Sequence, residues 1–593
     1  IKPFTNLLDN PKSTIDFDHK LADEIAQRVE EIGADGRLVL NADGSVYNVN
    51  LLEKLLVALL GKLGNFVVGG GIWLNTQRPE WNDANNALVG HGLSMVTLYY
   101  MRRYVRFLQQ LVSAEHLEVE LSTEVANWID ESTTAMNTGI DLLGDGKITP
   151  QLRFDLLRSL GSAAGNYREA VYREVPFSGR QTQPIENISS MLDSALVLID
   201  QSIDTNRRDD GLYHAYNLLK ITQGEATVDA LYPMLEGQVA VLSAGIIDAD
   251  EAGDLLHTLF ESDVYRPDQS SFMLYPDRQL PSFLEKNRVP ADEVEIIPLL
   301  QQMLADGDTR LITRDMEGTY RLHADFANIH YLNQRLDELV SEYGGKVDAA
   351  RTSLQALYEK VFQHRTFTGR SGSMFGFEGL GCIHWHMVSK LLLAIQENFF
   401  AALDGGVNVT SRNRLAHYYY RVRDGIGFHK TPSEYGAFPA DPYSHTPKHA
   451  GAQQPGMTGQ VKEEILTRFG ELGVRVVDGT VRIQPNLLRA CEFLGEPREF
   501  RFLDVHGNWQ HLTVPVNGLC FTWCQVPFVY KLDDDSEVSL SVIAADGTQH
   551  DFPHLELPAE DSAALFRRDG RVRQIAVTFS SEMLFTDQGA QIN

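Results

Sequence analysis

One change of texture constrains this chain more than any other feature. Up to about residue 470 apolar side chains recur at three- and four-residue spacing; after Gly473 they alternate. A period of 3.6 buries one stripe of a helix, and a period of two buries one face of a strand. The helical period runs through Leu21–Ile32, Leu51–Leu63, Ala87–Val112, Leu117–Met136 and Leu152–Tyr172. It returns in Met191–Ile203, Ala252–Phe260, Ile329–Tyr343, Val347–Phe362 and Ile383–Leu403. Helix pairs repeated this often, without a fixed-length sequence repeat, predict an α/α array or toroid. Beyond Gly473, VRVVDGTVRIQP sets two alternating runs around Asp478-Gly479, a hairpin signal, and further short β-rich runs follow. Their spacing predicts a β-sandwich. The expected organisation is therefore a mainly helical domain over 1–473 and a C-terminal β-sandwich over 474–593.

Charge narrows the partners. Net charge is −28, so nucleic acid and anionic membranes, which need basic surface, are not expected. The most apolar runs, Leu51–Leu63 and Val388–Ile395, are too short to span a bilayer or carry Lys. No signal peptide is visible, and the chain opens on Ile1 rather than Met. A cytoplasmic location is expected, with the N-terminal address left open. The composition also leaves a homo-oligomer open. Cys382, Cys491, Cys520 and Cys524 are too few and scattered for a disulfide scaffold, and reduced, buried thiols are expected. The C-x3-C pair of Cys520 and Cys524 has no companion pair, so no metal site is expected. DLLGDGKIT at 141–149 has Leu143 and Leu152 where a calcium loop needs oxygen ligands, and reads as a turn between helices.

Chemistry concentrates in Arg78–Gly90, RPEWNDANNALVG. Two carboxylates, three amides and an indole share one short segment ahead of an apolar helix. An indole stacks on a sugar face, amides bond hydroxyls, and a carboxylic acid protonates a glycosidic oxygen. Asn and Asp also cap helix starts, so a purely structural reading stands beside the catalytic one. The long loop DGIGFHKTPSEYGAFPADPYSHTPKHAGAQQPG at 424–456 carries Phe428, Tyr435, Phe438 and Tyr443. Its aromatic content suggests a lid over a sugar site rather than disorder.

Three segments in order resemble the cellobiose and chitobiose phosphorylase family of inverting glycoside phosphorylases. EWNDANNALVG at 80–90 is similar to the family's D-W-N-D-x-x-N-x-x-G stretch, with Glu80 where the family has the general-acid Asp, and Asp83 as the second acid. EGLGCIHWHMVSKLLLA at 378–394 resembles the stretch in which a His at a helix start binds phosphate; His386 is the best match and His384 the reserve. MTGQVKEEILTRFGELGVRVVDGTVRIQP at 457–485 resembles the family's closing segment, where a Thr/Ser-Gly pair contacts phosphate; Thr458 and Gly459 match, and Gln460 replaces a small hydroxyl residue.

The resemblance implies an (α/α)6 barrel with its active site at one open end, and inverting cleavage of a β-glycosidic bond in a gluco-oligosaccharide. It implies Glu80 and Asp83 as catalytic candidates, and His386, Thr458 and Gly459 as phosphate contacts. Arg370, in GRSGSMFGFEG, would add positive charge to that site. Arg78, Trp81, Asn82, Glu378, Trp385, Tyr435 and Tyr443 are the expected sugar contacts. No cofactor is expected beyond inorganic phosphate as co-substrate. A hydrolase or transglycosylase on the same fold is the alternative, with Glu378 as a candidate base for water. A non-catalytic sugar-binding barrel is a third reading.

Overall fold

A computed structural model of the chain describes residues 1–11, 13–75, 88–112, 117–144, 146–172, 177–276, 282–362, 383–426, 445–446 and 460–586. The molecule is mainly helical, and it divides into two compact units. One holds Ile1–Ile246 and Met273–Cys382, the other Ile247–Phe272 and Ile383–Asn593. Near 473 the secondary structure changes, with helix ending at Glu471 and strand beginning at Val474.

The first unit begins with α1 (Phe4–Asp9), α2 (His19–Ile32) and α3 (Leu51–Leu63). Its body is α4 (Met95–Val112), α5 (Thr123–Leu143), α6 (Pro150–Val171), α7 (Ile185–Thr205) and α8 (Leu235–Ser243). Local chemistry sets the starts. The Asn50 side chain accepts from Glu53 N at 2.8 Å, and Thr149 accepts from Leu152 N at 3.1 Å with Pro150 in the first turn. Glu53 itself is buried and accepts from the Ser122 backbone and hydroxyl, at 3.0 and 2.6 Å, where α5 begins. The α5–α6 hairpin turns between Leu143 and Pro150, the turn that DLLGDGKIT predicts.

A small antiparallel sheet lies within this unit, in the order β1 (Phe66–Val67), β2 (Gly71–Trp73), β3 (Gly92–Ser94), β6 (Tyr216–Thr222), β7 (Glu225–Ala230). A separate ribbon pairs β4 (Glu118–Ser122) with β5 (Arg180–Pro184). Buried amides hold the β1–β2 turn: Asn206 donates to Gly69 O at 3.1 Å and Asn217 to Gly70 O at 2.8 Å. Trp73, Leu93, Leu157 and Leu219 pack under the sheet.

After Ile246 the chain gives the second unit α9 (Ala249–Glu261) and the hairpin of β8 (Tyr265–Arg266) and β9 (Ser271–Phe272). It returns to the first unit as a module with a core of its own. The module contains α10 (Phe283–Lys286), α11 (Ala291–Glu295), α12 (Pro298–Asp306), the β10 (Ile312–Arg314)–β11 (Tyr320–Leu322) hairpin, α13 (Ile329–Tyr343) and α14 (Gly345–Phe362). One hydrophobic cluster, from Val289 to Phe362, includes Leu300, Leu311, Leu336, Leu339 and Leu354. The sequence placed α13 and α14 among the repeated helix pairs, but their apolar stripes close on this local core.

An ion network pins the module's surface. Asp308 meets Arg310 at 2.6 Å, Arg310 meets Glu342 at 2.5 Å, and the Tyr343 hydroxyl donates to Asp308 at 3.0 Å. The Arg310 guanidinium beside Asp308 holds its carboxyl down at about 2. The folded value lies below the ordinary value of about 3.9, so this contribution is present above about pH 4 and lost as pH falls toward 2. Acid unfolding followed by hydrogen exchange should show this loss in 289–362, and Asp308→Asn should flatten it. An unchanged acid profile in that variant would contradict the assignment.

The second unit continues with β12 (Ile383–His384), α15 (Trp385–Asp404), α16 (Val409–Asp424), β13 (His445–Thr446) and α17 (Gln460–Glu471). The hairpin predicted at Asp478-Gly479 is present between β14 (Val474–Val477) and β15 (Thr480–Ile483), with Val477 opposite Thr480. Both turn residues take the positive φ, 50° and 78°, that a two-residue hairpin of this hand needs. Next come β16 (Arg498–Leu503) and β17 (Trp509–Val514), a two-stranded ribbon. A five-stranded sheet follows, of β18 (Gly518–Trp523), β19 (Val526–Leu532), β20 (Ser539–Ala544), β21 (Gln549–Phe552) and β22 (Val572–Phe579), in the order β18-β19-β22-β20-β21.

The β19–β22 pair is parallel, with α18 (Ala559–Arg567) between β21 and β22 in the chain. Ala564 and Leu565 of α18 join Phe528, Tyr530, Ile575, Val577 and Phe579 in one core. Among the described residues of the second unit, five strands thus make one mixed sheet and the rest two-stranded ribbons. Cys520 lies in β18 and Cys524 in the two-residue turn to β19, so their spacing is that of a hairpin, and both are free and partly buried. Burial pushes the Cys520 thiol up to about 12. Cys491 is exposed rather than buried, because it lies in a short surface turn at Ala490–Glu492. Among the described residues no helix is long and apolar enough to cross a membrane, and no cluster of His, Cys, Asp or Glu could hold a metal ion.

Candidate active site

Arg78, Glu80, Trp81, Asn82 and Asp83 lie outside the described residues, as do Arg370, Glu378, Tyr435, Tyr443, Thr458 and Gly459. The structure describes residues that flank some of them in the chain. In the first unit the frame is the β2–β3 pair, with Ile72 opposite Ser94 and Trp73 opposite Leu93. Backbone bonds extend it on both sides: Leu74 N to Gly92 O at 2.9 Å and Gly90 N to Leu74 O at 2.6 Å. The Trp73 indole N–H donates to Gly90 O at 3.3 Å. Leu74 and Gly90, in the described stretches on either side of 76–87, are therefore joined in one closed hairpin neck. Buried Asn75 donates to Asn65 at 2.6 Å on the outgoing side, and Leu88 packs with Tyr216, Met234 and Tyr275 on the return.

This frame revises the expectation that the motif opens the apolar helix directly. β3 intervenes, and α4 starts at Met95. The Ser94 hydroxyl accepts from Thr97 N at 3.0 Å, so Ser94 caps α4. The Asn and Asp residues of the motif are not needed to cap that helix. A buried carboxylate that sequence reading did not single out lies near the same return strand. Glu236 on α8 accepts from the Tyr216 hydroxyl at 2.7 Å, and Tyr216 packs with Leu88.

The second unit holds 383–394 of the second motif and, among the described residues, 460–485 of the third. His386 is described: it is buried in the first turn of α15 and engaged by its neighbours. Trp385 opens the same helix. Just before them, β12 pairs with β13, so Ile383 faces Thr446 and His384 faces His445. The long 424–456 segment is thereby tied by its backbone to the start of the His386 helix.

The direction of the helices places the third motif. Gln396 on α15 donates to Thr467 O of α17 at 2.8 Å. A Cβ on Gly470 would stand 2.1 Å from Gln396 Oε1, so glycine permits this approach. Beyond the end of α17, Arg475 of β14 meets Asp404, the last residue of α15, at 2.7 Å and lies 4.7 Å over the Phe400 ring. Contacts advance from Gln396 to Asp404 as they advance from Thr467 to Arg475, so α17 and the strand that follows it run in the direction of α15. The N-termini of α15 and α17 share one end, and Thr458–Gly459 immediately precede one of them. α16 folds back on α15 as a hairpin, so its C-terminus, with Arg421 and Arg423, lies toward that same end.

A buried polar cluster locks these three helices. Glu471, fully buried, accepts from the Tyr419 hydroxyl at 2.6 Å, from Arg423 at 3.0 Å and from Arg468 at 2.7 Å. Gln396 reaches the Tyr419 hydroxyl at 3.4 Å. Burial pushes the Tyr419 phenol well up, and the Glu471 carboxylate beside it adds to the rise. Burial likewise raises the Glu464 carboxyl, against the pull of Arg423. Sequence reading missed Arg423 and Glu471. The available signal was an Arg in the last turn of an otherwise apolar-faced helix, but their pairing spans 48 positions and no local pattern reveals it.

Two helix N-termini at one end create a positive field suited to an anion, each carrying roughly half a unit charge. Residues 280–365 match the family described as GH149 phosphorylase insertion domain 2, and the matched stretch spans the module with its own core at 289–362. No curated protein matches the chain. The match supports a relation to glycoside phosphorylases.

Proposed function

We propose that the chain is an inverting glycoside phosphorylase that cleaves a β-linkage in a gluco-oligosaccharide. The observation that carries this reading is the match of one folded module to a phosphorylase insertion domain. The direction of α15 and α17 supports it, because His386 lies in the first turn of one helix and Gln460 opens the other; Thr458, Gly459 and Arg370 are proposed to join His386 in binding phosphate.

In this reading Glu80, carried by the β2–β3 neck, is the general acid, and Asp83 is the competing candidate. Arg78, Trp81, Asn82, Glu378, Trp385, Tyr435 and Tyr443 hold the sugar. The surrounding helices form the (α/α)6 barrel, and the enzyme works in the cytoplasm. A phosphate oxygen attacks the anomeric carbon as the bond to the leaving oxygen breaks. The leaving oxygen takes the proton of Glu80, and phosphate replaces the water that a hydrolase would need a base to activate.

Two measurements test the reading. β-Linked gluco-oligosaccharides should yield a sugar 1-phosphate when inorganic phosphate is present, and turnover in its absence would favour a hydrolase. His386→Ala should raise KM for phosphate by roughly tenfold to a hundredfold, the cost of one charge-assisted contact, with a smaller change in KM for the sugar. Equal changes in both constants would remove His386 from the phosphate site.

A further inference from the structure

The hairpin of β8 and β9 stands at the end of the second unit from which α15 starts, and the sequence motifs leave it without a role. Helix contacts fix its place. Along α9 and α16, Asp250 meets Ser411, and Asp254 meets Arg414 at 2.7 Å. Further on, His257 Nδ1 lies 3.2 Å from the Tyr418 hydroxyl, and the Arg421 guanidinium lies 3.8 Å from the centre of the Phe260 ring. The contacts advance together, so the two helices run parallel. Because α16 folds back on α15, α9 also ends where α15 begins. β8 follows α9 closely, and β9 lies against β12, the strand that leads directly into α15 and His386.

Three sets of contacts make this hairpin stiff. Arg266, only 6% exposed, holds Asp268 through Nε at 3.1 Å and Nη2 at 2.6 Å, which closes the turn on itself. Phe260 packs against Tyr265 and Phe272 with ring centres 5.0 and 4.9 Å apart, so the hairpin is seated on the same ring that carries Arg421. Gly425, which ends α16, lies so close to the turn that a Cβ there would stand 2.0 Å from the Ser270 carbonyl oxygen. The φ of Gly425 is −73°, ordinary helical backbone, so the close approach demands glycine and the conformation does not. Ser270 takes a φ of 47°, in the small left-handed region, and has little room to yield.

We infer that the β8–β9 hairpin is the buttress that fixes the first turn of α15, with Gly425 and Arg421 as positioning residues for His386. This rests on the reading of His386 as a phosphate contact. The path runs from Gly425 to the Ser270 carbonyl, through the hairpin turn to β9, and from β12 into the helix. A close-packed interior transmits strain instead of absorbing it at the point of contact. A displacement of about 1 Å is enough to cost a positioned contact roughly tenfold to a hundredfold. Gly425 and Arg421 act through His386 rather than on phosphate itself, so the effect falls on phosphate and spares the sugar.

Gly425→Ala and Arg421→Met, made in the whole protein, test the inference. Amide exchange over 383–389 should quicken about tenfold in Gly425→Ala, while that of the β14–β15 hairpin stays unchanged. KM for phosphate should rise about tenfold, with KM for the sugar changed by less than about twofold. Arg421→Met keeps a long apolar chain over Phe260 and removes the charge. It should show the same pattern at about threefold, and it serves alone if Gly425→Ala does not fold. Unchanged exchange over 383–389, quickening that extends to the β14–β15 hairpin, or equal rises in both KM values overturns the buttress. His386→Ala separates this result from the catalytic reading. If His386→Ala raises KM for phosphate and the two variants do not, the buttress is wrong. If His386→Ala leaves that KM unchanged, the phosphate role of His386 fails, and the exchange pattern alone decides the buttress.

Discussion

Glu80→Gln should lower kcat for phosphorolysis of a β-linked gluco-oligosaccharide by 10²–10⁴-fold, in the range of lost general acid catalysis, and leave sugar affinity near its starting value. The amide keeps the size and much of the hydrogen bonding of the acid but has no proton to give. A substrate with a nitrophenyl leaving group, which departs without protonation, should suffer far less. Asp83→Asn should fall short of the Glu80 effect. If Asp83→Asn shows the larger loss, or the nitrophenyl substrate is equally impaired, the proton comes from elsewhere. The frame makes the experiment clean, because the neck at Leu74, Gly90 and Gly92 is held by backbone bonds that the substitution does not touch.

Glu471→Ala should destabilise the second unit by about 3–5 kcal/mol, the usual result of removing one partner from a buried ion cluster. The Tyr419 hydroxyl would lose its acceptor and Arg423 this carboxylate inside the packed helices, while Arg468 would retain Glu492 at 2.7 Å. Glu471→Gln should fall between the two, since the amide oxygen still accepts from Tyr419 while the charge is gone. Urea unfolding read by hydrogen exchange in 385–424 gives the value, and a change below about 1 kcal/mol would show that the cluster is not the lock described. The same variants should raise KM for phosphate, because the cluster fixes α17 against α15 and hence the spacing of the two helix starts.

Much of the helical body was legible. Leu51–Leu63 and Ile329–Tyr343 are helices over the spans that their periodicity marks, and the Asp478-Gly479 hairpin is present at the residues that announce it. Leu117–Met136 was read as one helix, yet its first residues form strand β4. Leu117, Val119 and Leu121 alternate, and the helical period of α5 beginning at Thr123 masked that switch. The five-stranded sheet of the first unit escaped because β1, β2 and β3 are two or three residues each, too short to show a period, and the sheet is completed by the pairing of β3 with β6 far along the chain. The insertion module was invisible for another reason. Its helices carry the same apolar spacing as the body, and only the closure of their contacts among Val289–Phe362 separates them. Motif spacing marks helix starts at Trp385 and Gln460, while the common direction of the two helices rests on contacts of Gln396, Gly470 and Arg475 that no local pattern reveals.

The central claim is inverting phosphorolysis, and the anomeric form of the product tests it most directly. Proton NMR during the first minutes of reaction, with a β-linked gluco-oligosaccharide and inorganic phosphate, should show α-configured sugar 1-phosphate appearing and no free sugar from the cleaved end. Release of free sugar independent of phosphate, or formation of the β-configured phosphate, would contradict it.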